Sequence, residues 1–141
     1  MATLRKPTLN ITPIAGHQFA IVKVTGEIEF SRADQYLMDS AFAKQVKWFM
    51  IIAQLYGKDS HEGGVDTAIY WLGSKQYPEA AATLPITSYS LVMNTVPIFV
   101  LNEDPAPGAK DEIYAKVTLT NLFADYAKTE RNSDVVEITF P

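Results

Sequence analysis

The chain has 141 residues, 48% of them hydrophobic, with 12 basic against 16 acidic side chains and a formal net charge of −4. That length suits one domain, able to remove roughly two-thirds of its unfolded surface from water without covalent or metal staples. Cysteine is absent, which excludes disulfides, thiolate zinc sites and a cysteine nucleophile, and the mild acidity argues against nucleic acid, whose phosphates need clustered Lys and Arg.

Residues 2–14 read as an extended arm or an edge strand: Leu9 and Ile11 alternate with Thr8, Asn10 and Thr12, while Pro7 and Pro13 exclude a central position. Phe19–Phe30 is the clearest strand. Ala20, Val22, Val24, Ile28 and Phe30 share one face, and Gly26 interrupts it where a bulge or bend fits. Ser31 and Asp34 have the spacing of a helix N-terminal cap, predicting a short helix over about 32–43. Gln45–Tyr56 is apolar on both faces, so a covered central strand competes with a buried helix; its β-branched residues and the Gly57–Ser60 turn that follows favour the strand. Thr67–Leu72, Ile86–Met93, Val96–Leu101, Glu112–Thr120 and Ser133–Phe140 complete about eight strands. The expected fold is mainly β: a single-domain antiparallel β-sandwich with one short helix and an N-terminal arm.

Asp111–Thr120, a loop, and Asn132–Pro141 resemble the closing strand pair of immunoglobulin-like and fibronectin-III-like sandwiches. The resemblance covers about 30 residues, and the Cys-Trp-Cys pattern of true immunoglobulin domains is missing; Trp48 stands in a candidate central strand. The same end of the chain is similar to the closing strand of phage tail-tube and related virion sandwich proteins. Such folds host many functions, so the resemblance implies architecture alone.

Candidate chemistry is sparse. Asp59, Ser60, His61 and Glu62, with Asp66 nearby, hold the ingredients of a proton shuttle or a metal site in a glycine-bounded loop. No second histidine stands at ligand spacing, so a solvated surface loop is the commoner meaning. Glu103, Asp104, Asp111 and Glu112 bracket the loop 102–112, the kind of oxygen-rich turn that calcium wants, yet the spacing is not that of an EF-hand and Lys110 offsets part of the charge. Neither a Gly-x-Ser-x-Gly elbow nor a phosphate-binding glycine loop is present. No catalytic, cofactor or metal residue is therefore assigned.

Charge is distributed unevenly. Arg5, Lys6 and Lys23 precede the first acid, Glu27, whereas residues 101–141 hold eight acids against four bases. Tyr70, Trp71, Tyr77, Tyr89, Tyr114 and Tyr126 supply interface anchors if several face solvent on one sheet. The N-terminal residues lack the apolar run of a secretory leader, and Trp48–Ala53 is too short to cross a bilayer. The expectation is a non-enzymatic structural subunit that assembles with copies of itself or neighbouring subunits, with a virion or appendage as the favoured setting and no nucleic-acid or membrane partner. The alternative is a calcium-dependent or carbohydrate-binding module using the 102–112 loop.

Overall fold

The computed structural model describes residues 2–39, 47–58, 66–78, 85–102, 110–123 and 127–140. Strict alternation of apolar residues lets each strand turn one face inward, and the result is two antiparallel sheets stacked on one core. The first sheet joins β1 (Thr3–Leu4), β2 (Thr8–Pro13), β3 (Phe19–Glu29) and β6 (Ile86–Pro97), with β3 at its centre. The second joins β4 (Phe49–Gly57), β5 (Thr67–Gln76), β7 (Asp111–Asn121), β8 (Lys128–Asn132) and β9 (Val136–Ile138) in the order β5-β4-β7, with β8 and β9 on the far edge of β7. Val22, Val24 and Ile28 of β3 share the core with Leu91 of β6, Ile51 and Leu55 of β4, Leu72 of β5 and Ile113 and Val117 of β7, all fully buried.

The helix α1 (Arg32–Asp39) starts as its sequence predicts. Ser31 Oγ accepts the Asp34 amide at 3.2 Å, and the Asp34 carboxylate accepts the Ser31 hydroxyl at 2.8 Å and its amide at 3.3 Å, a reciprocal cap. Residues 40–46, the rest of the predicted helix and the start of the predicted strand, lie outside the described residues. The Gln45–Tyr56 segment is a strand from Phe49 onward, central in its sheet between β5 and β7.

Of the two readings of the segment 2–14, the structure takes the edge strand: β1 and β2 pair with β3 in the chain's own first sheet, with Leu4 and Leu9 buried in the core. Three boundaries differ from the sequence reading. Ile86–Met93 and Val96–Leu101 are not two strands: β6 runs unbroken to Pro97 through an irregularity opposite Ala20 and Val22, and the last residues form the one-turn helix α2 (Ile98–Leu101). Pro97, held at φ −61°, is its N-cap. The predicted strand 67–72 continues through Gly73 to Gln76. The predicted strand 133–140 shortens to β9, while the polar run Lys128–Asn132, read as loop, is the edge strand β8.

One edge of each sheet is broken by the same device. Leu4 pairs with Ile28 and Thr8 with Thr25, so Arg5, Lys6 and Pro7 face only Gly26 and Glu27; Asn132 pairs with Lys116 and Val136 with Ile113, so Ser133, Asp134 and Val135 face only Tyr114 and Ala115. Each is a one-residue bulge. Ser133 replaces the lost ladder partner: its hydroxyl accepts the Ala115 amide at 2.9 Å and its own amide donates to the Ala115 carbonyl. The bulges meet across the seam between the sheets, where Lys6 pairs with Asp134 and Arg131 donates to the Leu4 carbonyl at 3.1 Å. At the opposite seam the Gln76 amide donates to the Ser90 carbonyl at 2.6 Å and accepts its amide at 3.2 Å, tying β5 to β6.

Candidate functional site

The outer face of the second sheet carries an aromatic platform. Odd-numbered residues of β4 point into the core, leaving Met50, Ile52, Gln54 and Tyr56 outside. Across the ladder Tyr56 pairs with Tyr114, Ile52 with Thr118, and Gln54 with both Lys116 and Trp71. The Tyr56 and Tyr114 rings stack at 5.5 Å, 12° from parallel. Their polar tips are engaged: Tyr56 donates to Gln54 Oε1 at 3.3 Å and Tyr114 to the Asp66 carboxylate at 2.8 Å. Lys116 lies 5.5 Å from the Tyr56 ring centre and 3.3 Å from Glu130, spanning a cation–π contact and an ion pair. Beside this group Trp71 is 52% exposed. A depression of about 160 Å³ separates it from the Lys116–Glu130 pair, with Ile52, Gln54 and Thr118 among its lining. These rings sit on strands rather than loops, so they are held in place before any partner arrives.

The outer face of the first sheet is polar and concave. Lys23, Thr25 and Glu27 alternate outward from β3 and Ser88 and Ser90 from β6, with Thr8 on β2. They line an open trough of about 680 Å³ whose edges are Arg5 and Lys6 of the bulge and Gln76 of β5. Arg5 contacts Glu27 at 3.5 Å and Glu29 at 3.6 Å. Gly26 and Tyr89, a cross-strand pair, also line the trough. The Tyr89 phenol fills the space where a Gly26 side chain would stand; a Cβ there would lie 2.7 Å from its Cζ. Its hydroxyl is buried and has no hydrogen-bond partner among the described residues.

The two tyrosines titrate alike for different reasons. Burial pushes Tyr89 up to about 12. Tyr114 is also pushed up to about 12, first by loss of solvent and then by the hydrogen bond and negative charge of Asp66, with a smaller push from Tyr56.

The candidate residues read from the sequence separate as follows. His61 with Asp59, Ser60 and Glu62, and Glu103 with Asp104, lie outside the described residues, as does Tyr126. Asp66 joins the aromatic platform through Tyr114. Asp111 is buried at the start of β7 and Glu112 is half-buried beside it, its carbonyl accepting the Lys58 amide, while Lys110 pairs with Glu137 at 3.6 Å. Among the described residues no three His, Asp or Glu side chains converge as metal ligands. Of the predicted aromatic anchors, Trp71 and Tyr114 share the platform, Tyr89 is buried beneath the other sheet, and Tyr77 lies under Lys47 at 5.0 Å. Tyr56, which completes the platform, carries no sequence signal beyond its place in an apolar run. The basic start and acidic end of the chain do meet, within one chain, through Lys6 and Asp134. No helix of the described residues is long and apolar enough to cross a membrane.

No protein-family model matches this chain, and comparison with curated proteins and with solved structures finds no match.

Proposed function

We propose that this protein is a non-enzymatic assembly subunit: a β-sandwich that joins copies of itself through the outer face of its second sheet, in a larger structure such as a virion or appendage. The observation that carries this reading is the exposed Trp71 on a rigid sheet beside the Tyr56–Tyr114 stack, since Trp and Tyr supply most hot-spot energy at interfaces. Charge supports a second copy as the partner. Asp66 and Glu112, with Lys58, lie at the end of the face where β4 finishes, whereas Lys47, Lys75 and Lys128 lie at the end where it starts. A two-fold axis through the platform sets aromatic on aromatic and the acid-bearing end on the basic end, the self-complementarity that an isologous interface requires.

Sedimentation over a wide concentration range tests this. The expected result is reversible self-association that Trp71→Ser weakens by about tenfold or more, with its melting temperature within a degree or two of the parent. A parent chain that stays strictly monomeric at high concentration overturns the proposal. So does calcium-dependent stabilisation of a monomer, which selects the binding-module alternative on the 102–112 loop.

A further inference from the structure

We infer that copies of this chain also join end to end, the Phe99 ring of one copy entering an apolar depression at the opposite end of the next. This contact is separate from the aromatic platform and shares with it only the partner, a second copy of the chain.

The projecting ring follows from the shape of α2. In a single turn Ile98 and Leu101, three residues apart, fall on one side and pack toward the core, with Leu101 fully buried. Phe99 is left facing away from it, 79% exposed, more than any other large hydrophobic side chain among the described residues. The turn is held in place: the Ile98 amide donates to the Gln18 carbonyl at 2.9 Å, the Asn102 amide donates to the Ile98 carbonyl at 2.8 Å, and α2 packs on β5 and β6. A ring fixed in this way loses little freedom on docking. Phe19, exposed and paired with Pro97, widens the apolar tip.

The receiving depression has a volume of about 160 Å³. Ala2, Phe49, Leu119 and Ala127 give it an apolar lining, and Lys128 also lines it. The ladders set the two features at opposite ends of the sandwich. Phe49 opens β4 and pairs with Asn121, where β7 finishes. By contrast α2 follows Pro97, whose partner Phe19 opens β3; at that end β2 runs beside β9, which pairs with the first residues of β7. A projecting ring at one end and a depression at the other leave each copy with one of each unused. That is a heterologous contact, which closes into a ring or extends as a filament. Charge favours the same pairing, because on the second sheet Asp66 and Glu112, with Lys58, stand at the Phe99 end, whereas Lys47, Lys75 and Lys128 stand at the other. A lipid surface is a poor fit, since it calls for basic rather than acidic residues beside the apolar tip.

Light-scattering mass across a range of concentration tests this in a Trp71→Ser background, where the platform is silenced. The Trp71→Ser chain is expected to grow past the dimer as its concentration rises. Adding Phe99→Ser, or Ala127→Glu to put an acid in the depression, is expected to weaken that association about tenfold or more. Both positions are exposed, so melting temperatures are expected to stay within a degree or two of the background. Each of these two variants keeps the half that the other has lost, so mixing them is expected to give a one-to-one dimer and nothing larger. A Trp71→Ser chain that stays monomeric at roughly millimolar concentration overturns the end-to-end contact, and leaves the platform standing if the parent dimerises. The contact is equally overturned if the mass stops at a dimer, if Phe99→Ser leaves the mass unchanged, or if the mixed variants fail to pair. Equal growth of the parent and Trp71→Ser chains, abolished by Phe99→Ser, would sink the platform and support this contact alone.

Discussion

Outward from β3 and β6 the ladder carries Lys23, Thr25, Glu27, Ser88 and Ser90; outward from β4, β5 and β7 it carries Ile52, Tyr56, Trp71 and Tyr114. The two faces are made by the same period-two geometry, yet one is a hydroxylated trough and the other an aromatic platform. Tyrosine shows the difference most directly. On the first sheet Tyr89 turns inward, its ring packed on a glycine and its hydroxyl unpartnered; on the second Tyr114 turns outward, its ring stacked and its hydroxyl tied to Asp66. A buried phenol fills the space a glycine leaves across the ladder, whereas an exposed ring with its tip already fixed offers its face.

The comparison breaks most sharply at Gly26. Replacing it with valine drives side-chain atoms into the Tyr89 phenol and is expected to cost about 3 kcal/mol in a denaturant titration, the upper end for overpacking. Adding Tyr89→Leu to Gly26→Val is expected to recover part of that loss, and no recovery would mean that the clash lies elsewhere.

Alkaline pH sharpens it next. Both phenols stay protonated in the folded chain to about pH 12, while in the unfolded chain they ionise near 10, so stability is intact below pH 10 and falls as the pH climbs from 10 to 12. The Tyr89 contribution is at most about 2–3 kcal/mol, the free energy that separates ionisation at 10 from ionisation at about 12; solvent screening at Tyr114 makes its share smaller. Tyrosinate absorbance separates the two: Asp66→Asn is expected to bring one phenol back toward 10 and to leave the other near 12. A change in both, or in neither, would contradict the assignment.

The smallest effect is at the seam that both sheets share. Lys6→Ala removes an exposed pair with Asp134 and is expected to shift stability by under about 0.5 kcal/mol, vanishing in high salt.

Much of the architecture was legible because burial imposes its period on the chain. The alternation in Phe19–Glu29 and Asp111–Asn121, and the Ser31–Asp34 cap, correspond to β3, β7 and the start of α1. β8 was hidden, since an edge strand of Lys, Thr, Glu, Arg and Asn has no continuous apolar stripe to reveal it. The candidate site was less legible still. Trp71 faces out and Tyr70 toward the core because they alternate with buried Leu72 in unbroken register with Leu55, Gln54 and Ala53, and which face of an aromatic run turns inward is decided by that partner strand. Likewise the meaning of Gly26 lies in Tyr89, far along the chain and directly across the ladder.

The interrupted edges carry one more implication. Proline at positions 7 and 13 denies a newcomer the amides it would need on one margin, and on the other Lys128, Glu130 and Arg131 place a charge at most positions of the outermost ribbon. Rung-by-rung addition of another strand is thereby disfavoured at those two margins.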